Sequence, residues 1–459
     1  MSTFDTIVAR ATPSGKGAIA VVRVSGPMAF AMVDGLLKNK ISLKNSHTAY
    51  LRQFFDEHGM IDEALALLFR GPNSYTGEDT VEISVHGSDY IVNRLIAALL
   101  NQGCRVADPG EFTQRAFLNG KLDLAQAEAV ADIIAAEHRF AHDQALKQLR
   151  GGFSDDIAVL RDRLLHFTSL IELELDFGEE DVEFASREEL TSLVTNIKTK
   201  VDALKDSFAL GNALKQGFTL VLAGRPNAGK STLFNALLNE DKAIVSDIAG
   251  TTRDAIEDRL HLEGLSLRLI DTAGIREATD VIEQQGIART FKHIEMSGAT
   301  LYVFDAASMS LEMLKADIEE LSSKTDRIWV VANKMDTFLG DISVFAEVVR
   351  AETQLEMWQL SAQDRLSVHK FTKELANRFQ EDLGILDDQT VVTNARHANS
   401  LLLCSQELQH ILDGIENYLT GDLLSFHLRS AISALSAITG EIDNEEVLGN
   451  IFSKFCIGK

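Results

Sequence analysis

Eight residues near the middle of the chain restrict its fold more than any other feature. Gly224-Arg-Pro-Asn-Ala-Gly229-Lys230-Ser231 fits the pattern G-x-x-x-x-G-K-[ST]. It follows the apolar run Phe218-Thr-Leu-Val-Leu-Ala223 and precedes a helix-forming stretch over 232–238. A loop of this kind works where a buried strand hands over to a helix, so this region must contain an α/β layer. The glycines let backbone N–H groups close around phosphates, and the helix N-terminus adds the positive end of its dipole. Asn227, Ala228, Gly229 and Thr232 belong to the same cradle. Lys230 is placed to neutralise β- and γ-phosphates, and the Ser231 hydroxyl to ligate Mg²⁺.

The surrounding residues 217–380 alternate strand and helix. Residues 259–263 and 266–270 flank Gly264 as a hairpin, and 300–304, 328–332 and 357–360 are further buried strands. That order predicts a mostly parallel sheet with helices on both faces. Four more motifs belong to this module, three at strand ends and one between the phosphate loop and the hairpin. In Asp271-Thr272-Ala273-Gly274 the carboxylate can hold the magnesium hydration shell and the Gly274 N–H can meet a γ-phosphate. Asn333-Lys334-Met-Asp336 offers a carboxylate to guanine N1–H and its exocyclic amine, a donor pair that adenine lacks. Ser361-Ala362 sits where a backbone N–H would meet guanine O6. Gly250-Thr251-Thr252-Arg253-Asp254 occupies the place of a switch segment, with Thr252 as second hydroxyl on Mg²⁺. Together the five motifs resemble the GTPase superfamily and imply GTP as ligand. Ile275 stands where Ras-like enzymes carry a water-orienting Gln. Arg253, Arg276 and Glu283 are the nearby polar candidates to replace it.

The rest of the chain has a different texture. All five prolines, at 13, 27, 72, 109 and 226, leave 110–225 and 227–459 free for long helices. Apolar residues at three-to-four spacing predict helices over 122–150, 157–175, 190–210, 397–419 and 423–439. Residues 119–216 and 381–459 therefore read as two pieces of one helical domain, with the 217–380 module inserted between them. Residues 1–118 read as an α+β domain, with strands at 19–24 and 81–85 and a helix over 90–100.

The net charge is −24 overall. It divides into −1 for residues 1–118, −8 for 119–216, −7 for 217–380 and −8 for 381–459. So acidic a chain is repelled by nucleic-acid backbones unless a basic patch is hidden in it. No apolar run is long enough to span a bilayer, no secretory signal is visible, and three cysteines are too few for a disulfide framework or a zinc site. A cytoplasmic protein with no membrane association is expected.

Outside the nucleotide module, several segments are close to family-diagnostic. They are Asp5-Thr-Ile-Val-Ala-Arg-Ala-Thr-Pro13, Gly71-Pro-Asn-Ser-Tyr-Thr-Gly-Glu-Asp79, Pro109-Gly-Glu-Phe-Thr113, the run from Phe117 to Glu128, and the terminal Phe455-Cys-Ile-Gly-Lys459. In this order, over the whole chain, they resemble the tRNA uridine-modification GTPase family known as MnmE or TrmE. The resemblance implies a multidomain protein: an N-terminal α+β folate-binding and dimerisation domain, a discontinuous α-helical domain, and an inserted Ras-like α/β P-loop GTPase domain.

It further implies a homodimer that works with a flavin (FAD)-dependent partner subunit in a heterotetramer or larger assembly. The complex would install an aminomethyl or carboxymethylaminomethyl group at C5 of the wobble uridine (position 34) of certain tRNAs. The one-carbon unit would come from a tetrahydrofolate derivative (5-formyl or methylene), and K⁺ would stimulate GTP hydrolysis. By matching position, Asn227, Ser246, Ile248 and Thr251 would ligate K⁺, which can offset transition-state charge as an arginine finger does. Glu283 would orient water. Arg23, Glu82, Lys121 and Lys459 would bind folate. Without the resemblance, Glu82 reads as a solvent-facing strand residue and Lys459 as a disordered end.

Cys456 has two readings. Its tail superficially fits a prenylation box, but Gly458 and Lys459 are poor final residues and the context looks bacterial. The family instead gives its terminal cysteine a functional role, for which a reactive thiol would need a lowered pKa; Lys454 and Lys459 are the only cations nearby in sequence. The alternative to a modification enzyme is a regulatory or ribosome-assembly GTPase that acts as a switch. The acidity adds one more expectation: a partner supplies most of the basic surface that tRNA needs.

Overall fold

The computed structural model describes residues 5–39, 46–176, 186–242, 257–262, 265–271, 299–325, 327–354, 356–384, 390–441, 445–453 and 455–459. The chain divides into two compact units. One comprises residues 1–135, 145–198 and 403–459; the other comprises 136–144 and 199–402.

The first unit begins with a six-stranded sheet. Its strands are β1 (Ile7–Arg10), β2 (Ile19–Ser25), β3 (Thr48–Asp56), β4 (Gly59–Phe69), β5 (Thr80–His86) and β6 (Arg105–Val106), in the order β3-β4-β5-β2-β1-β6. All neighbours are antiparallel except β1 and β6. One face is apolar by simple alternation. Ala20, Val22 and Val24 of β2 and Val81, Ile83 and Val85 of β5 all point into the core. Helices α1 (Ala29–Asp34) and α2 (Asp89–Asn101) cover that face, α2 through Val92, Leu95, Ala98 and Leu99. The β3–β4 hairpin has no counterpart among the expected strands. Its edge strand alternates exposed and half-buried residues, so the apolar contrast that marks β2 and β5 is weak there.

Helices follow: α3 (Glu111–Leu118), α4 (Leu124–Ala135), α5 (Arg139–Leu149), α6 (Gly152–Asp176), α7 (Arg187–Asp206) and α8 (Phe208–Gln216). The single helix expected over 122–150 is broken at His138. There the ring Nδ1 accepts from the Ala141 N–H at 3.3 Å and starts a new helix. The helix expected over 190–210 is broken at Ser207. Its hydroxyl donates back to Leu204 O (2.6 Å) and accepts from the Val392 N–H (3.0 Å).

The second unit holds a six-stranded sheet in the order β12-β11-β10-β7-β9-β8. Its strands are β7 (Phe218–Ala223), β8 (Glu257–Leu262), β9 (Leu265–Asp271), β10 (Ala299–Asp305), β11 (Ile328–Asn333) and β12 (Trp358–Gln359). All neighbours are parallel except the β8–β9 hairpin, where Leu262 faces Leu265. Helices α9 (Lys230–Lys242) and α12 (Arg365–Gly384) pack on one face against Leu222, Leu301, Val303 and Val331. Helices α10 (Leu311–Ser322) and α11 (Ser343–Thr353) pack on the other against Val221, Tyr302, Phe304 and Val330. Both faces are covered, which is why these strands read as continuous apolar runs instead of alternating ones.

Towards the C-terminus come α13 (Ala395–Glu416), α14 (Gly421–Thr439) and α15 (Glu445–Phe452). Leu424, Leu428, Ala431, Leu435 and Ile438 of α14 recur every three or four residues and are buried. The helix lies along α6, where Glu172 meets Arg429 at 2.7 Å. Among the described residues, no helix is long and apolar enough to cross a membrane.

Candidate functional site

The phosphate-type loop lies where the sequence places it, between β7 and α9. Ala228 is buried, and Asn227 is exposed with φ +64°. Gly229 has φ +91°, and a Cβ there would collide with the Asn333 amide nitrogen, so glycine is required on both counts. Lys230 opens α9 and is buried. Its ammonium donates to Gly224 O at 2.9 Å and Arg225 O at 3.0 Å, which holds it inside the loop. Ser231 and Thr232 follow on the exposed side of the first helical turn.

Asn333, at the end of β11, is buried and joins two loops. Its Nδ2 donates to Ala228 O (2.9 Å) and its Oδ1 accepts from the Ala362 N–H (3.0 Å). The amide is engaged by protein at both ends, so its visible work is to fix the phosphate loop against the Ser361-Ala362 turn. The Ser361 N–H in turn donates to Ser367 Oγ at 3.2 Å.

Lys334 has φ +61°, and its Nζ reaches Asp305 Oδ2 at 2.8 Å. Burial pushes the Asp305 carboxyl up. The Lys334 ammonium and the Ala307 N–H outweigh that and hold it below its ordinary pKa. Asp336 is exposed two residues on. Asp271 closes β9 opposite Leu222, just ahead of the phosphate loop. Thr272, Ala273, Gly274, Ser246, Ile248, Thr251, Thr252, Arg253, Arg276 and Glu283 lie outside the described residues.

A further polar cluster in this unit joins the phosphate loop to two residues, Tyr302 and Asp317, that belong to none of the sequence motifs. Arg225, the second residue of the loop, makes a bidentate pair with Asp317 of α10 at 2.8 and 2.9 Å. The buried Tyr302 hydroxyl of β10 donates to the same carboxylate. Burial and the neighbouring carboxylate push the Tyr302 phenol well above its ordinary pKa. No sequence signal joins Arg225 to a residue 92 positions away.

In the other unit, the expected folate residues fall into two groups. Arg23 and Glu82 are cross-strand neighbours on β2 and β5, and their side chains pair at 2.8 Å. The Arg23 guanidinium also lies over the Tyr75 and Phe112 rings, 5.2 and 5.5 Å from their centroids. It approaches Gly458 O at 3.4 Å. The C-terminal tail is therefore held, not free. Lys459 O accepts from the Phe112 N–H at 3.2 Å. Gly458 has φ +97° and packs so tightly on the Arg10 carbonyl that a Cβ would overlap it. Lys121, by contrast, donates to Pro72 O at 3.1 Å. Cys456 is exposed, and its carbonyl accepts from the Lys459 N–H at 3.3 Å. Lys454 lies outside the described residues.

An ionic knot supports this region. Buried Glu111 and Arg115 sit one turn apart on α3. Arg115 also binds Asp5 and Glu78, and Arg105 binds Asp5 and Glu111. Burial raises the Glu111 carboxyl, but the two guanidinium groups and the Asp108 N–H outweigh it and hold it below its ordinary value. The three carboxylates of this knot, Asp5, Glu78 and Glu111, each come from one of the diagnostic segments.

Two family models match the chain. One is described as the GTP-binding protein TrmE N-terminus and covers residues 6–121; the other is the MnmE helical domain and covers residues 124–456. The chain belongs to the MnmE family. A tRNA modification GTPase MnmE of Flavobacterium johnsoniae is 47% identical over 472 residues, covering 100% of both chains. That of Cytophaga hutchinsonii is 47% identical over 456 residues, covering 99% of this chain and 98% of its own. That of Bacteroides thetaiotaomicron is 43% identical over 470 residues, covering 99% of each. The segments that carried the resemblance are thus parts of an MnmE-family chain from end to end. Among its described residues, no group of three or more His, Cys, Asp or Glu side chains could hold a metal ion.

Proposed function

We propose that this chain is the GTP-hydrolysing subunit of a tRNA-modification complex acting at C5 of the wobble uridine. The observation that carries the reading is full-length likeness to tRNA modification GTPases, in a chain whose phosphate loop and guanine-type turn lie side by side. Buried Lys230, held by two loop carbonyls, offers a fixed positive charge to the β- and γ-phosphates. Asp336 selects guanine, because adenine would leave its carboxylate without donors. Asn333 keeps the phosphate loop and the Ala362 N–H in one rigid frame.

The donor types present fit the ions that the resemblance implies. Ser231 offers a hard hydroxyl oxygen at a helix start, and with Thr252 would hold Mg²⁺. Asn227, Ser246, Ile248 and Thr251 offer neutral oxygens suited to K⁺. When bound, these ions supply charge neutralisation at the phosphates. Asp271 would serve the magnesium hydration shell, and Glu283 would orient the attacking water.

The first unit would hold the folate. Arg23, Glu82, Tyr75, Phe112 and the Gly458 carbonyl put a cation, an anion, two rings and an acceptor together. That set suits a flat heterocycle carrying paired donors and an anionic tail. Lys121 and Lys459 would serve the tail. A homodimer and an FAD-dependent partner complete the assembly in the cytoplasm, and the partner supplies the basic surface that a chain of net charge −24 lacks.

Deleting the gene and analysing tRNA nucleosides is the direct trial. Loss of C5-modified uridines is expected, and an unchanged nucleoside profile refutes the modification role. Binding of 5-formyltetrahydrofolate by the full chain separates this reading from a pure GTPase switch.

A further inference from the structure

The phosphate loop is anchored from outside the nucleotide motifs. Arg225 does two jobs at once. Its carbonyl accepts from Lys230 Nζ at 3.0 Å and from the Ala228 N–H at 3.3 Å, so that peptide sets the direction of the ammonium. Its side chain runs to Asp317 through a fork of two hydrogen bonds, a geometry that fixes orientation as well as distance.

A surface ion pair is ordinarily worth little. This one differs because its carboxylate has a third, buried partner. The Tyr302 hydroxyl donates to Asp317, and Tyr302 is 3% exposed. Tyr302 also stands opposite Ala223 in the β10–β7 register, and Ala223 is the residue before the loop. The sheet, α10 and the loop therefore meet at one carboxylate, and α10 is itself tied to α11 by Lys315 and Glu352 at 2.9 Å.

The geometry points to Arg225, Asp317 and Tyr302 as positioning residues for Lys230 in GTP hydrolysis. This rests on the GTPase reading above. Their assigned role is exerted through Lys230: they hold the Arg225 peptide so that the ammonium meets the phosphates where charge develops. Transition-state stabilisation is more sensitive to such placement than ground-state binding, because it depends on preorganised alignment. Losing the clamp should lower kcat more than it raises KM.

The test uses the full chain with Mg²⁺ and K⁺, measuring kcat and KM for GTP separately and the thermal midpoint of each variant. Asp317→Asn and Arg225→Ala should lower kcat about ten- to a hundredfold. KM should stay within about threefold of the native value, since guanine recognition is untouched. Tyr302→Phe should give a smaller fall in kcat. Arg225→Lys should recover part of the rate lost in Arg225→Ala, because an ammonium can still bind Asp317 once. If Asp317→Asn does not fold, Arg225→Ala decides, as that side chain is partly solvated.

Native hydrolysis with kcat unchanged in Arg225→Ala overturns the clamp and leaves the GTPase reading standing. So does a fall in kcat matched by an equal rise in KM and a lowered melting point, which marks a structural role only. A native chain that does not hydrolyse GTP overturns both.

Discussion

The nucleotide loop and the ionic knot of the N-terminal sheet are both polar, both partly buried and built in opposite ways. In the loop, backbone carbonyls do much of the holding. Lys230 binds Gly224 O and Arg225 O, and Asn333 binds Ala228 O. In the knot, nearly every partner is a charged side chain: Asp5, Glu78, Arg105, Glu111 and Arg115. A carbonyl fixes a cation in place without cancelling its charge, which suits a site that must receive an anion. The knot matches carboxylates to guanidinium groups, and its charge is used up in holding β6, α3 and the segments that lead into β1 and β5 together. Polar burial of the first kind prepares a ligand site; burial of the second kind fastens a frame.

The largest expected effect follows from that contrast. Lys230→Ala removes the cation that the loop carbonyls hold in place. GTP hydrolysis should fall by about 10²–10³-fold, the usual loss when one preorganised transition-state donor is removed. The thermal midpoint should barely move, because the two carbonyls that it binds can be solvated at the loop. A hydrolysis assay beside a melting curve checks both. A variant that loses its fold instead would show that the loop, like the knot, is a structural device.

Arg115→Met should behave in the reverse way. It leaves Glu111 buried with half of its compensation gone, and removing one partner of a buried pair typically costs about 3–5 kcal/mol. Unfolding of the first unit in denaturant should shift by that order. GTP hydrolysis, measured below the new transition, should stay close to native. Lost hydrolysis in a still folded variant would break the contrast between the two regions.

Acid sharpens the same comparison. Glu111 and Asp5 both have folded pKa values below their unfolded ones, so each binds protons more readily in the unfolded chain. Their stabilisation is fully present above about pH 4.5 and is lost as pH falls through the lower folded values. Native stability should therefore decline steeply below about pH 4. In Arg115→Met the decline should be shallower, since less of the shift remains to be lost. Equal acid slopes in the two proteins would mean that the knot contributes nothing through its carboxylates.

Much of the second unit was legible because its strands are covered on both faces. Continuous apolar runs at 218–223, 300–304 and 328–332 stand out, and the motifs fall at their ends. Less was legible where structure depends on one side chain meeting a distant backbone atom. His138 restarts a helix through Ala141, and Ser207 interrupts another by binding Leu204 and Val392. Apolar spacing continues across both breaks, so periodicity alone reads straight through them. The Arg225–Asp317–Tyr302 cluster is hidden for a related reason: each member has an ordinary local role, as loop residue, helix-surface acid or strand aromatic. The tail shows a different limit. Residues 455–459 are too few to show a hydrophobic period; what holds them is Phe455, buried with Leu124 and Phe452, backbone pairing near the start of α3 and the close approach to Arg10.

That tail supplies the smallest expected effect. Gly458→Ala places a Cβ on a backbone at φ +97° and against the Arg10 carbonyl, so the last residues must shift. The global cost should be about 1 kcal/mol, because a chain end can move away at little expense to the core. The local consequence is larger than the global one. The Gly458 carbonyl lies beside Arg23, and the Lys459 carbonyl takes the Phe112 N–H, so displacement disturbs the edge of the Arg23–Glu82 pair. Affinity for 5-formyltetrahydrofolate, read by calorimetry, should weaken several-fold while GTP hydrolysis is unchanged. Unaltered folate affinity would show that the tail is merely packed against the sheet; lost hydrolysis would show that the tail serves the nucleotide reaction, and the division of labour between the two regions would then have to be redrawn.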